Sequence, residues 1–201
     1  MLPIFIIDDD VDIRNYVETI LSSIQVPVIP FASATEFLSY YDGETWGCIL
    51  SDVIMPDMDG MEFQAELIKR NINIPIILMS SHGNIGMVKS ALKRGAIDFL
   101  EKPIDSKELI DVSKHGLAVA ESQYIINEEK LAFKKKIISL TDRENQIFYL
   151  LADGKNNSDI AKLQNISIRT VETHRNRILR KMGFSSLQDL MYYVHRYSLL
   201  T

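Results

Sequence analysis

The chain has 201 residues, 46% of them hydrophobic and 24% charged, with a formal net charge of −5. That length holds one large domain or two small ones, and the composition is that of an ordinary globular protein. No apolar run approaches a membrane span, the first residues lack the basic flank of a signal peptide, and a single cysteine excludes an internal disulfide, so a cytoplasmic protein with no membrane partner is expected. The charge is unevenly spread: residues 1–137 carry 13 Lys and Arg against 21 Asp and Glu, and residues 138–201 carry 9 against 6. A basic face on one small domain is what phosphate contacts require, whatever the overall isoelectric point.

Ile4-Phe5-Ile6-Ile7 reads as a short buried strand that runs directly into Asp8-Asp9-Asp10. Asp10 and Asp12 open a helix through Ile13, Tyr16, Val17, Ile20, Leu21 and Ile24, where acids suit the positive end of the dipole, but Asp8 and Asp9 still belong to the strand end. Val26 to Phe31 is a second strand, followed by a helix through Phe37, Leu38 and Tyr41. Cys48-Ile49-Leu50-Ser51-Asp52 is a third, stopped by Pro56 and Asp59-Gly60, with Cys48 expected as a buried, inert thiol. A helix from about Gly60 to Arg70 leads to the fourth strand, Ile74 to Ser80. The next helix passes Val88, Leu92 and Lys93 and closes at Gly95. Ala96 to Leu100 is the fifth strand, ended by Glu101-Lys102-Pro103. Strands alternating with helical patterns predict βαβ units: an α/β fold with a parallel sheet covered on both faces.

In such a sheet all the strand ends lie along one edge, where ligands are held. That edge collects Asp8 and Asp9, Asp52, Ser80 and Lys102. An Asp alone at a strand end commonly just caps the following loop. Three carboxylates converging repel one another unless a cation sits between them, and all-oxygen ligation suits Mg²⁺. A lysine, a hydroxyl and a carboxylate nucleophile complete a set suited to phosphoryl transfer onto Asp52.

These residues carry a resemblance. Residues 1 to about 120 resemble the receiver domain of a two-component response regulator. Ile7-Asp8-Asp9 resembles the acidic pair, and Asp52 within Ser-Asp-Val-Ile-Met-Pro-Asp-Met-Asp-Gly resembles the phospho-acceptor. Ser80 matches the switch hydroxyl, Phe99 the switch aromatic, and Lys102-Pro103 the lysine with its cis-proline. The resemblance implies a flavodoxin-like fold and Mg²⁺ held by Asp8, Asp9, Asp52 and the backbone carbonyl of Ile54. It also implies a receiver that catalyses only its own phosphorylation and dephosphorylation. Ile54 and His82 flank the pocket and are expected to tune phosphate lifetime. A haloacid-dehalogenase-type hydrolase needs a second Asp two residues after the nucleophile, where this chain has Ile54, and neither nucleotide-binding glycine motif is present.

From Ser106 a helical pattern continues past the first domain, with Ile110, Leu117, Tyr124, Leu131 and Ile138 every seven residues. Their companions Ser113, Ala120, Asn127 and Lys134 are mostly polar, which leaves open a weak coiled coil or, preferred here, a long last helix packed partly on its own domain. Gly116 weakens the helix interior, and Lys134-Lys135-Lys136 reads as a solvated hinge.

The last part predicts four helices. Thr141 caps the first, with Glu144 completing a capping box; Asn157 to Leu163 is a short second, and Ser167 caps a third running to Met182-Gly183. Short helix, turn and longer helix make a helix-turn-helix unit. On the third helix Ile168, Val171, Ile178, Leu179 and Met182 share one side, while Arg169, Glu172, Thr173, Asn176, Arg177 and Arg180 spread over the other, suited to bases and phosphates of a major groove. Arg175 lies toward the apolar arc, to reach a phosphate or brace the fold.

Leu140-Thr-x-Arg143-Glu144, Ser158-Asp-Ile-Ala161 and Ile166-Ser-x-x-Thr170-Val171-Glu-x-His174 with Lys181-Met-Gly183 resemble the LuxR/NarL-type DNA-binding domain. The whole chain then resembles the FixJ/NarL group of response regulators: a receiver over 1–120, a helical linker over 121–137 and a helix-turn-helix domain over 138–201. The resemblance implies base readers in Glu172, Thr173 and Asn176, and phosphate contacts or supports in Arg169, Thr170, His174, Arg175 and Arg177. Its implied partners are a sensor histidine kinase, double-stranded DNA, a second copy when phosphorylated, and RNA polymerase. The alternative is an unphosphorylated module that regulates by protein contact, whose mark would be a broken acidic site.

Overall fold

A computed structural model describes residues 1–81 and 85–197, and the chain divides into two compact units, Met1–Tyr124 and Ile125–Thr201. In the first unit, β1 (Ile4–Ile7), α1 (Val11–Ser22), β2 (Val28–Phe31), α2 (Ala34–Tyr40), β3 (Cys48–Asp52), α3 (Gly60–Lys69), β4 (Ile76–Ser80), α4 (Ile85–Lys93) and β5 (Asp98–Glu101) alternate. They are followed by α5 (Ser106–Ile138), in which the division between the units falls. The strands form one parallel sheet in the order β2-β1-β3-β4-β5. This is the doubly wound arrangement the strand-helix alternation predicts. β2, β4 and β5 each begin two residues later than the apolar runs suggest, because Val26, Ile74 and Ala96 pack in the core ahead of the ladder.

The apolar runs of β1, β3 and β4 lack alternation because both faces are covered. One face packs Phe5, Ile7, Ile49 and Leu78 with Phe37, Phe63 and Ala91, the other packs Ile4, Ile6, Leu50 and Ile77 with Val17, Leu21 and Leu109, and all are 2% exposed or less. Burying each of these large side chains contributes about 1.5–3 kcal/mol. Helix entries are fixed locally: Asp10, Ser33 and Asp59 accept the second or third amide of α1, α2 and α3, with Glu62 closing a capping box on Asp59. Asp105 accepts the amides of Lys107 and Glu108 at the head of α5.

Gly116 is a packing requirement of α5. A Cβ there would stand 2.5 Å from the Cys48 sulfur and 3.0 Å from Ile77 Cδ1, so only glycine lets the helix approach β3 and β4. Ile110 and Leu117 pack on the sheet, and Tyr124 meets Trp46 edge-on at 5.9 Å. Leu131 and Ile138, the later members of the seven-residue series, are 43% and 79% exposed. The series therefore does not see one environment along its length.

The second unit contains the end of α5 with α6 (Asp142–Ala152), α7 (Asn157–Gln164), α8 (Ile168–Met182) and α9 (Leu187–Arg196). Its core is Ile147, Phe148, Ile160, Val171, Ile178, Met182 and Leu190, all fully buried. Residues read from sequence as linker join it. Phe133 is 3% exposed, stacks on Tyr193 at 5.0 Å and meets Phe184 edge-on. Tyr197 donates its hydroxyl to Glu129, and Lys136, expected in a solvated hinge, donates to the Met182 carbonyl at 3.0 Å at the end of α8. Residues 198–201 of the expected helix-turn-helix domain lie outside the described residues.

A second buried contact sets this unit's frame. Thr141 and Glu144 make the predicted capping box, and the Glu144 carboxylate, 4% exposed, also accepts Lys181 at 2.6 Å. Burial works to raise this carboxyl, but the Lys181 ammonium and the Thr141 amide and hydroxyl outweigh it, so it is lowered to about 2.

Two predictions follow from this packing. A fragment starting at residue 125 should melt well above one starting at 138, since loss of a buried Phe side chain such as Phe133 costs about 3–5 kcal/mol; equal melting temperatures by circular dichroism would make residues 125–137 a mere linker. The second concerns acid. A carboxyl depressed in the folded state from 4.5 to about 2 confers stability that is fully present above its unfolded value and lost as pH falls through the folded one. Glu144→Gln should therefore lower the unfolding midpoint at neutral pH and flatten its decline between about pH 5 and pH 2. An unchanged acid limb would remove this carboxylate from the account.

Candidate phosphorylation site and nucleic-acid interface

Parallel register brings the strand ends together: Ile7 pairs with Ser51, Asp52 with Met79, and Ser80 with Glu101. Asp8 follows β1 directly, Asp52 ends β3, and Lys102 follows β5. Carboxylate oxygens of Asp8, Asp9 and Asp52 consequently lie within 4.8 Å of one another. Asp8 is fully buried, Asp52 is 6% exposed, and Asp9 faces solvent. The Lys102 ammonium bridges the two buried acids, at 2.8 Å from Asp8 and 3.1 Å from Asp52.

The remaining oxygens are satisfied locally. Asp8 Oδ1 accepts the Asp10 amide at 3.0 Å and Asp52 Oδ1 accepts the Val53 amide at 2.9 Å. Arg14, which sequence reasoning did not single out, donates to the Asp8 backbone carbonyl at 2.6 Å. Its only sequence signal is a cation five residues after Asp9, which periodicity assigns to the helix surface. Burial raises the Asp52 carboxyl above the usual carboxylate range; the Lys102 ammonium opposes this and the Asp8 charge reinforces it. For Lys102, burial works against the charge, but its contacts with Asp8 and Asp52 hold its pKa above the ordinary lysine value.

These oxygens fit a hard divalent ion. Three carboxylates at this spacing offer ligands to Mg²⁺ while leaving positions for water or a phosphoryl oxygen. Ser80 is fully buried at the end of β4, Phe99 is half-buried on β5, and the Lys102–Pro103 peptide is cis. Ile54 stands at the rim, 54% exposed. His82 lies outside the described residues. Cys48 is buried, its thiol pushed up to about 12 by burial, which leaves it inert as expected.

One glycine fixes the position of Asp52. Gly60 donates its amide to the Val53 carbonyl at 2.8 Å, and a Cβ on it would come within 2.4 Å of the Asp52 carbonyl and 2.9 Å of Val53 Cα. The loop from Asp52 to α3 therefore closes only over glycine.

On α8 the two faces separate largely as the spacing predicts. Val171, Ile178 and Met182 are buried, Leu179 is half-buried, and Ile168 differs from expectation in being 49% exposed, since it is the first residue of the helix. Arg169, Glu172, Thr173, Asn176, Arg177 and Arg180 are all exposed, and Thr170, His174 and Arg175 half-buried. Thr170 shares a hydrogen bond with the Ser167 cap at 2.8 Å, and the exposed Thr173 donates its hydroxyl to the Arg169 carbonyl at 2.9 Å. His174 Nδ1 and Arg175 Nε are buried without a hydrogen-bond partner. Arg143 donates to both the side chain and, at 2.8 Å, the backbone carbonyl of Gln164, which anchors α6 to the turn before α8.

Known proteins share this arrangement. The family described as "Response regulator receiver domain" matches residues 4–114, and that described as "Bacterial regulatory proteins, luxR family" matches residues 138–194. The transcriptional regulatory protein TdiR of Thauera aromatica is 36% identical over 193 residues, spanning 96% of this chain and 85% of that protein. The transcriptional regulatory protein FixJ of Bradyrhizobium diazoefficiens is 34% identical over 188 residues, spanning 94% and 92%. Among solved structures, the response regulator StyR superposes with a TM-score of 0.80 at 34% identity, covering 97% of this chain and 98% of that one.

Gly60→Ala should displace the strand end that carries Asp52, lowering stability by about 1–3 kcal/mol and weakening Mg²⁺ binding measured by isothermal titration calorimetry. Wild-type affinity and stability in that variant would mean that the loop accommodates a Cβ.

Proposed function

This chain belongs to the LuxR-type response regulators, and on that premise we propose that Asp52 is its phospho-acceptor and that the outward face of α8 is its DNA reader. As a member of that group it is a DNA-binding transcriptional regulator controlled through its receiver, with a histidine kinase as partner. The observation that carries the assignment to Asp52 is the Asp8, Asp9 and Asp52 cluster bridged by Lys102.

An oxygen of Asp52 attacks the phosphorus of the kinase phosphohistidine. The P–N bond breaks and its electron pair leaves with the imidazole, while a P–O bond to Asp52 forms. Asp8, Asp9, Asp52 and the Ile54 carbonyl would hold Mg²⁺, which supplies charge neutralisation to the transferring phosphoryl oxygens. Lys102 contributes a fixed positive charge to the same oxygens, and Ser80 a hydroxyl donor. Hydrolysis reverses the modification: water attacks phosphorus, the bond to Asp52 breaks, and inorganic phosphate leaves. The receiver catalyses this on itself and turns over no separate substrate.

The new phosphoryl oxygens draw Ser80 toward Asp52, and Phe99 moves inward into the space so vacated. The altered surface around α4 and β5 favours a second copy of the chain, so that two α8 helices meet successive major grooves of a palindromic site in double-stranded DNA. Glu172, Thr173 and Asn176 read base edges, the last two by methyl contact and amide hydrogen bonds. Arg169 and Arg177 contact phosphates, while Thr170, His174 and Arg175 brace the helix, with the buried nitrogens of the last two supporting a role completed on DNA. The protein acts in the cytoplasm, with RNA polymerase as the partner of the bound dimer. Among the described residues no helix is long and apolar enough to cross a membrane.

The test is mass in solution and anisotropy of labelled double-stranded DNA, with Mg²⁺, before and after beryllofluoride. Mass and affinity should rise together, Asp52→Asn should abolish both rises, and Arg177→Ala should reduce the salt slope of log K by about 1. Asp52→Asn responding like wild type would overturn the assignment.

A further inference from the structure

At the opposite edge of the receiver sheet from Asp52, a cavity of about 330 Å³ opens between α3, the starts of β4 and β5, and α5. Its walls combine apolar side chains, Leu67, Ile72, Ile76 and Ile97 among them, with polar ones, and two glutamines line it: Gln64 of α3 and Gln123 of α5. Gln64 is only 2% exposed. Its amide nitrogen donates to the Ala91 carbonyl of α4 at 3.0 Å, but its Oε1 has no partner. Gln123 Oε1 is likewise buried and unpartnered. A buried acceptor without a donor is rare and unfavourable, and two in the wall of one cavity form a coherent set.

We propose that this cavity is a binding site for a small uncharged amphiphile with an apolar body and a hydroxyl or N–H donor. The volume falls at the lower end of ligand pockets, which are mostly apolar with a few placed polar groups. Both unmet groups are acceptors, so the ligand must donate. Arg94 in the same wall disfavours an ammonium. The last torsion of a glutamine is soft, so either oxygen tilts toward a donor entering the cavity. Occupancy bears on α4 through the Gln64 to Ala91 hydrogen bond. The site lies a strand length from Asp52, about 13 Å, and needs nothing from the phosphorylation reading.

Phenol, with benzene as its donor-less match, is the probe, titrated into the ¹⁵N-labelled full chain and followed by amide chemical shifts. Saturable shifts should be confined to residues 64–76, 91–97 and 119–123, with phenol at least about fivefold tighter than benzene. Gln64→Leu should erase that preference while benzene still binds, and Ile72→Phe should fill the cavity and abolish both. Because Gln64 tethers α4 and its loss can unfold the unit, Gln123→Leu, at a half-buried position, provides the same reading. Shifts that fail to saturate or scatter over the surface, phenol no tighter than benzene, or binding untouched by Ile72→Phe would each overturn the proposal.

Discussion

Everything in the receiver unit is arranged around a charge problem. Two carboxylates, Asp8 and Asp52, are held almost out of water with Asp9 close by, their oxygens within 4.8 Å. At an effective dielectric constant near 20, the one like-charge pair with both members buried, Asp8 with Asp52, costs about 3 kcal/mol at that distance. Register leaves no escape, because Asp8 and Asp52 end strands fixed by apolar pairing on either side. Lys102 answers with contacts at 2.8 and 3.1 Å, but one ammonium cannot neutralise three carboxylates. The pocket is therefore poised for additional positive charge, and the apolar core supplies the stability that keeps it so.

The second unit solves a different problem, that of holding one helix firmly while presenting most of its polar face to solvent. α8 has buried residues only at Val171, Ile178 and Met182. It is fixed instead at both ends: at the start by the Ser167 cap and the Arg143 clamp on the preceding turn, near the end by Lys181 on Glu144 and Lys136 on the Met182 carbonyl. Arg143 and Glu144 are adjacent in α6, so one turn of that helix anchors both ends of α8. The buried Glu144 pair has its partner on a different helix, so breaking it loosens the unit more than loss of an exposed ion pair would.

Strand ends were legible in the sequence because the covered strands β1, β3 and β4 read as unbroken apolar runs, and the polar residue that stops each of these three is a candidate site residue: Asp8, Asp52 and Ser80. Caps at Thr141 and Ser167 were equally legible, since capping depends on three or four consecutive residues. What the sequence concealed depends on long-range approach. Gly116 reads as a weak point in a helix, yet it is where α5 meets Cys48 and Ile77. Lys136 sits in a run of three lysines, and nothing local distinguishes the one that reaches 46 residues along the chain. The half-apolar series in α5 obscured Phe133, which lies off the seven-residue register but belongs to the core. Arg14 was hidden because its partner is a backbone carbonyl, which no side-chain pattern records.

Magnitudes bear on how such a receiver switches. Moving a two-state equilibrium from 1:99 to 99:1 takes about 5.5 kcal/mol. Phe99 is already half-buried, so in the proposed switch completing its burial would contribute only about 1 kcal/mol, and a charge-assisted hydrogen bond from Ser80 would add about 1.5–3, less whatever that buried hydroxyl already makes. Together these fall short of a full switch. In the proposed mechanism the balance comes from contacts that exist only in the active arrangement, with association of two copies as their source, since each protomer then shares the stabilisation of a common interface. In the proposed mechanism, phosphorylation therefore biases the receiver surface and dimerisation completes the transition, which makes the response steep in protein concentration as well as in phosphate.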